Sequence, residues 1–323
     1  MTGTAAAGQP PARRGWRTVD GIVLLDKPQG LTSTQALQRV RRALQAEKAG
    51  HAGTLDPMAT GMLPLCFGQA TKACGQLLGQ RKAYRAKVVL GAATDTGDAE
   101  GQVVERREVP AITDAALEPV LAALRGARQQ VPPMYSALKR DGRPLYELAR
   151  RGEMVEREAR PISIDRLDVL ARTDGSLDLE LVCSKGTYVR VLAEEIALGL
   201  GTVGHLAALR RLWVAPFGAD RMVTLERIEA ADRDAAEAPP WLLPVDAAFV
   251  GLDALRLDEA QSLQLRQGRT LDPLPEGSPG LPLRAYDAAH GFLGLVEVGP
   301  DGRLRVQRLF VAGAGTASPT PKT

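Results

Sequence analysis

The chain has 323 residues, a net charge of +3 and 45% hydrophobic residues, which allows a sizeable core and excludes wholesale disorder. No stretch approaches the roughly 20 consecutive apolar residues that span a bilayer, and the Ala/Gly/Pro-rich start, Met1–Pro11, lacks the apolar segment of a secretory signal. Cys66, Cys74 and Cys183 form no pairing pattern, and His51, His205 and His290 stand at no zinc-ligand spacing from them; this fits a reducing cytoplasm and chemistry without a metal.

In chain order, Ile22–Leu25 is a short apolar run ending in Asp26-Lys27-Pro28-Gln29-Gly30, a strand and a turn. Thr32, Ser33 and Thr34 offer N-caps for a helix with Leu37, Val40 and Leu44 on one face and Arg39, Arg41 and Arg42 largely off it. Gly50–Leu65, punctuated by Gly and Pro, is too irregular for one regular element. Tyr84–Leu90 alternates with period two and predicts a strand. Helices are expected over Asp114–Arg125, Leu145–Arg151 and Val191–Leu198, the last stopping at Gly199 and Gly201. Ile162–Leu170 and Leu177–Cys183 read as strands joined at Asp174-Gly175. Leu209 is read as a helical leucine. Pro239, Pro240 and Pro244, after the Ala/Asp/Glu-rich stretch 229–238, mark a linker, and 250–313 is a small, mainly β module with a hairpin at Pro300-Asp301-Gly302.

Charge is unevenly spread. Basic residues gather over 12–48, Lys139–Arg151 and Arg157–Arg160, and acidic ones over Glu226–Glu237, a distribution that suits a polyanionic partner.

The most informative segment is Gly50-His51-Ala52-Gly53-Thr54-Leu55-Asp56-Pro57-Met58-Ala59-Thr60-Gly61-Met62-Leu63. Its glycines permit sharp turns or close approach, and Pro57 biases Asp56 toward an extended conformation, so a carboxylate is presented between apolar neighbours. On local physics alone, an Asp-Pro in a Gly-rich loop is usually a turn. The segment, however, resembles at every fixed position the signature GHxGxLDPxAxGxL of the TruB family, the bacterial tRNA pseudouridine-55 synthases. Ile22–Leu31 is similar to that family's N-terminal Lys-Pro motif, and Cys183–Arg190 (CSKGTYVR) to its SKGTYIR motif. Met134–Lys139, Tyr84-Arg85 and Leu209–Leu212 agree in order and spacing.

The resemblance implies an α/β (α+β) pseudouridine-synthase fold with a mixed, largely antiparallel sheet and a small β-rich, PUA-like C-terminal domain. The layout it implies is a flexible tail at 1–18, a catalytic domain at 19–245, the PUA-like RNA-binding domain at 246–314 and a second tail at 315–323. It implies an isomerase that converts the T-loop uridine at position 55 of tRNA to pseudouridine by base flipping, with Asp56 as nucleophile. Attack at ribose C1′, a glycal route and attack at uracil C6 all stay open. Arg190 is the implied partner of Asp56, through a bidentate guanidinium. Tyr84 is the implied stacking surface for the uracil and a candidate to remove the C5 proton. His51, Tyr188 and Leu209 are implied to line or border the bound nucleotide, Asp98 to hydrogen-bond the base or the pocket, and Lys27 either to brace the loop or to meet phosphate. No cofactor, metal, membrane or obligatory protein partner is implied; the expected enzyme is a cytoplasmic monomer acting on the T-arm and elbow of tRNA, with backbone contacts from Arg39–Lys48 and Lys139–Arg151.

Overall fold

The computed structural model describes residues 15–136, 138–140, 142–232, 237–272 and 280–310. The first apolar run is β1 (Gly21–Lys27), buried except at Asp26. Thr32 opens α1 (Ser33–Leu44) with a reciprocal capping box to Gln35, and the face carrying Ala36, Leu37, Val40 and Leu44 is buried. The segment expected to be irregular divides into β2 (Ala49–His51), a loop, and β3 (Thr60–Phe67), an almost wholly buried strand. Burial on both faces removes the alternation by which a strand is recognised, and Gly61 and Pro64 disguise it further.

After α2 (Cys74–Leu78), β4 (Lys82–Leu90) alternates as expected: Tyr84, Ala86 and Val88 are buried, Arg85 and Lys87 exposed. A ribbon of β5 (Ala92–Thr94) and β6 (Val103–Arg106), then α3 (Asp114–Leu124) and β7 (Gly126–Gln130), lead into a segment with its own small core. There Met134 packs with Leu145 and Leu148 around β8 (Lys139–Arg140), β9 (Arg143–Pro144) and α4 (Leu145–Arg150). β10 (Arg160–Thr173) and β11 (Ser176–Cys183) turn at Asp174-Gly175, and α5 (Val189–Gly199) follows.

Leu209 lies on β12 (Gly204–Val214), a strand rather than a helix. Leu209 and Arg211 share a face, and two bulges interrupt its ladder with β4, at Leu206/Ala208 and Arg211/Trp213. Next come β13 (Val223–Thr224), α6 (Leu225–Glu229) and β14 (Leu242–Leu243); of the expected linker, residues 233–236 lie outside the described residues. The chain ends in β15 (Ala254–Arg256), α7 (Glu259–Arg266), β16 (Pro282–Tyr286), β17 (Phe292–Val298) and β18 (Leu304–Leu309).

The main sheet runs β13-β1-β3-β12-β4-β11-β10-β7, with β2 on β3 and β14 on β1. Only the β1–β13 and β3–β12 pairs are parallel, so the sheet is mixed and largely antiparallel, as expected. The second sheet, β15-β16-β17-β18, has a core of its own around Leu265 and Val296. It also shares a core with the main sheet, where Phe249 and Phe310 pack with Ile22, Leu24 and Met62. Within the stretch expected as a tail at 1–18, the Arg17 N–H donates to the Gln45 carbonyl at 2.7 Å and Arg17 bridges Ala46. Residues 1–14 and 311–323, the latter containing the expected second tail, lie outside the described residues.

At the centre, Gly61 faces Arg211 across the parallel β3–β12 pair. Its φ is +97°, and a Cβ there would lie 2.1 Å from the Arg211 carbonyl oxygen. Gly61→Ala therefore combines left-handed strain with a clash against backbone that cannot move without parting the strands. We expect a loss of about 3 kcal/mol or more, read as a lowered denaturant midpoint; a midpoint within error of the parent would contradict this account.

Candidate active site

The loop between β2 and β3 is clamped at alternate residues. Arg211 Nη2 donates to the Gly53 carbonyl at 3.2 Å. Ser33, at the start of α1, receives the Leu55 N–H at 2.8 Å and donates its hydroxyl to the Leu55 carbonyl at 3.0 Å. The Pro57 carbonyl accepts from the Gly30 N–H at 2.8 Å and from Lys27 Nζ at 3.4 Å. With 53, 55 and 57 tied down, Asp56 is left to project, and its side chain keeps 37% exposure.

Arg190, in the first turn of α5, is buried and spends its whole guanidinium here. Nε lies 3.3 Å from Asp56 Oδ2 and Nη1 3.4 Å from Asp98 Oδ2. Nη1 also donates to the Thr96 carbonyl at 3.1 Å, and Nη2 to the Tyr135 carbonyl at 2.6 Å. The expected pairing is present, but not bidentate: the Tyr135 carbonyl takes the nitrogen that a fork would need.

Of the two roles open to Asp98, a bond to the base or a bond within the pocket, its contacts here are within the pocket. It is 3% exposed; Oδ1 accepts from the Thr96 hydroxyl at 2.7 Å and the Glu100 N–H at 3.1 Å, while Oδ2 faces Arg190. It stands behind the arginine. For Lys27 the two alternatives separate. It has no exposed surface, so it cannot meet phosphate; Nζ donates to the carbonyls of Leu31 (2.7 Å), Pro28 (3.0 Å) and Pro57 (3.4 Å). Burial lowers its ammonium to about 8, against the pull of Asp56. Bracing the loop is the role left to it.

Removing that brace takes the Lys27 donor from the Leu31 and Pro28 carbonyls, while the Pro57 carbonyl keeps the Gly30 N–H. Lys27→Met should cost about 1–3 kcal/mol per carbonyl that water cannot reach. The linkage sign is testable too. A folded pKa depressed from the ordinary 10.5 to about 8 means the unfolded chain binds more protons between those values. Stability from this site therefore rises as pH climbs from about 8 toward 10, and the rise should vanish in Lys27→Met when thermal midpoints are compared across that window.

Tyr84, at the centre of β4, is 7% exposed, and burial raises its phenol above the ordinary value, with Arg211 pulling the other way. Tyr188 caps α5; its N–H donates to Gln130 Oε1 at 2.8 Å, and burial raises its phenol as well. His51 ends β2 with Nδ1 buried and unpartnered among the described residues, and burial together with Arg211 lowers its pKa, which keeps the ring neutral. Leu209 is half-buried against the main core, beside Ala86 in register and two residues from Arg211. Asp56 sits above the ordinary carboxylate value: burial raises it, Arg190 lowers it, Asp98 raises it and Lys27 lowers it.

Arg211 is the residue that sequence reasoning missed. It stood in the quoted Leu209–Leu212 motif, and reading that motif as a strand would have placed it on the face of Leu209, opposite Tyr84. The Arg39–Lys48 basic run is also less available than expected, since Arg39 forms a two-pronged pair with Glu229 (2.8 and 2.6 Å) and Arg41 donates to the Ala46 and Glu47 carbonyls.

Residues 41–189 match the family model described as TruB family pseudouridylate synthase (N terminal domain). Residues 190–250 match the tRNA pseudouridylate synthase B C-terminal domain, and 254–310 the model described as pseudouridine synthase II TruB, C-terminal. A protein named tRNA pseudouridine synthase B from Xanthomonas euvesicatoria is 47% identical over 91% of this chain and 95% of its own length. One of the same name from Ectopseudomonas mendocina is 48% identical over 92% and 97%. A solved Cbf5-Nop10-Gar1 complex aligns with a TM-score of 0.66 at 21% identity, over 90% of this chain and 85% of the other. An H/ACA RNP bound to a substrate RNA containing 2′-deoxyuridine aligns at 0.64 and 20% identity, over 90% and 85%. At such identities these two likenesses speak for the fold.

Proposed function

The chain belongs to the TruB family of pseudouridylate synthases, and from that premise we propose that it isomerises the uridine at position 55 of tRNA, in the T-loop, to pseudouridine. The observation that carries the reading is Asp56, projecting from a loop clamped on both sides of it, 3.3 Å from a buried Arg190. A partly exposed carboxylate held beside a buried guanidinium is suited to act as a nucleophile and to leave again. The reaction breaks N1–C1′ and joins C5–C1′ with no net oxidation or hydrolysis, so it calls for no cofactor.

A uridine within a folded loop has to be extruded to reach Asp56, at a cost of a few kcal/mol. Tyr84 supplies the stacking face for the extruded base, Leu209 and Tyr188 border it, and the neutral ring of His51 takes up stacking in the loop the base has left. Backbone contacts come from the Lys139–Arg151 run, which starts a few residues from Tyr135 at the site, and the C-terminal module meets a more distant part of the tRNA. Among the described residues no helix is long and apolar enough to cross a membrane. The reading is of a cytoplasmic enzyme that works as a monomer without a guide RNA or protein partner.

The test is incubation of the purified protein alone with an unmodified tRNA transcript carrying tritium at uracil C5. Release of one equivalent of tritium, lost when position 55 is changed to cytidine, is the expected result. No release from folded protein would overturn the reading, and release only after a guide RNA is added would replace it with the guided branch of the superfamily. The affinity should also fall steeply with salt, roughly as the power of the number of phosphates neutralised. Arg39→Ala, whose guanidinium is held by Glu229, should leave that slope unchanged.

A further inference from the structure

Arg211 has the largest fully buried side chain among the described residues, 1% exposed, yet no carboxylate there pairs with it. Its Nε donates to the Met62 carbonyl at 2.6 Å and its Nη2 to the Gly53 carbonyl at 3.2 Å. The β12–β4 register sets it directly opposite Tyr84, where antiparallel neighbours lie roughly 5 Å apart on one face. Arg211 lies near enough to the Tyr84 phenol to pull its pKa down against burial. The ionisable groups facing the pair are Asp56 from the loop, Cys183 from β11, Lys82 on β4, His51 on β2 and Lys27 on β1. Burial pushes the Cys183 thiol up to about 11 and keeps it neutral, and His51 is neutral too, so among these groups Asp56 is the one anion, beside the cations Lys27 and Lys82.

A buried cation without a counter-ion is strongly unfavourable, and such arrangements persist where negative charge develops during a reaction. A guanidinium has five donors and no acceptor, so the Tyr84 oxygen can only accept from it, and the phenolic hydrogen has to point elsewhere. We propose that Arg211 is a positioning residue for the isomerisation, holding the Tyr84 phenol from behind so that its hydrogen faces the base and so that the oxygen can carry a transient negative charge. This rests on the placement of Tyr84 against the uracil in the reading above.

The proton balance closes without a co-reactant. Glycosidic cleavage leaves the electron pair on N1, and the rejoined base still carries its C5 proton. Tyr84 gives its proton to N1 and becomes a phenolate beside Arg211. The phenolate then takes the C5 proton, the C5–H pair returns to the ring, and the phenol is restored. The net change is one proton moved from C5 to N1, as pseudouridine requires.

The experiment is single-turnover modification of tRNA transcripts carrying protium or deuterium at uracil C5, by the full-length protein, Arg211→Met and Arg211→Lys. Arg211→Met should slow the reaction about 100-fold and show a C5 isotope effect larger than the parent's, with tRNA affinity unchanged in a filter-binding assay. Arg211→Lys keeps a buried cation and should lose less rate, with the isotope effect again above the parent's; it serves if the methionine variant does not fold. A folded variant of either kind that is slowed with no change in isotope effect, or not slowed at all, overturns the proposal and leaves Arg211 a structural brace. If the parent itself modifies nothing, it is the functional reading that fails, and the proposal with it.

Discussion

Asp56→Asn is expected to reduce tRNA pseudouridine formation by roughly four orders of magnitude or more, the scale on which covalent catalysts lose activity with their nucleophile, while leaving the protein at least as stable as the parent. The second half follows from the environment of the carboxylate. Burial raises Asp56 above the ordinary value by more than Arg190 and Lys27 lower it. A carboxylate whose folded pKa lies above its unfolded pKa favours the fold when protonated, below about 4. That contribution is lost as pH rises through the raised folded value. At neutral pH the ionised Asp56 is therefore destabilising, and an isosteric amide relieves it while still offering Arg190 an oxygen. The thermal midpoint of Asp56→Asn at pH 7.5 should equal or exceed that of the parent, and the difference should shrink toward pH 4. A midpoint several degrees lower would mean that the attraction to Arg190 outweighs burial. The same shift gives the parent a pH–rate profile that falls on the acid side with a midpoint above the usual aspartate value.

Some of this was legible in the sequence. The first helix was legible, because the N-cap run Thr32–Thr34 and the spacing of Leu37, Val40 and Leu44 point the same way; which of the three residues caps it was settled by the bond to Gln35. Tyr84 was placed on a strand by the alternation of β4, which is exposed on one face only. β3 was not legible: it is covered on both faces and carries Gly61 and Pro64. Asp56 was weak on local physics and stood out through the motif around it, yet nothing local revealed that the loop is held at Gly53, Leu55 and Pro57 by residues far away in the chain. Lys27 and Asp98 illustrate the same limit. Both are charged residues, and charge in a sequence suggests solvent or ligand. Tertiary packing instead buried both, one under the loop and one behind Arg190. Arg211 was missed because a strand interior is the last place where an unpaired arginine is expected.

Arg190→Lys is the second change expected to have a large effect, and the geometry says why a conserved charge is not enough. The guanidinium meets four partners along divergent directions: Asp56 from Nε, Asp98 and the Thr96 carbonyl from Nη1, the Tyr135 carbonyl from Nη2. An ammonium on a flexible stem has three donors radiating from one point and cannot reproduce that planar spread. If lysine settles on Asp98 and Thr96, Asp56 loses its partner in a site where burial already disfavours its ionised form. If it reaches Asp56 instead, Asp98 is left charged at 3% exposure. In either case the single-turnover rate should fall by about 10²–10³, and stability by about 3 kcal/mol, as when one member of a buried ion pair is removed. The rate should recover more steeply with rising pH than in the parent, since the Asp56 carboxyl, without the arginine, ionises later. Affinity for tRNA should hardly change, because Arg190 is 6% exposed and lies beneath the carboxylates rather than on the surface. A lysine variant with the parent's rate and pH profile would show that a positive charge suffices at this position, and would remove the argument that Arg190 holds Asp56 by shape.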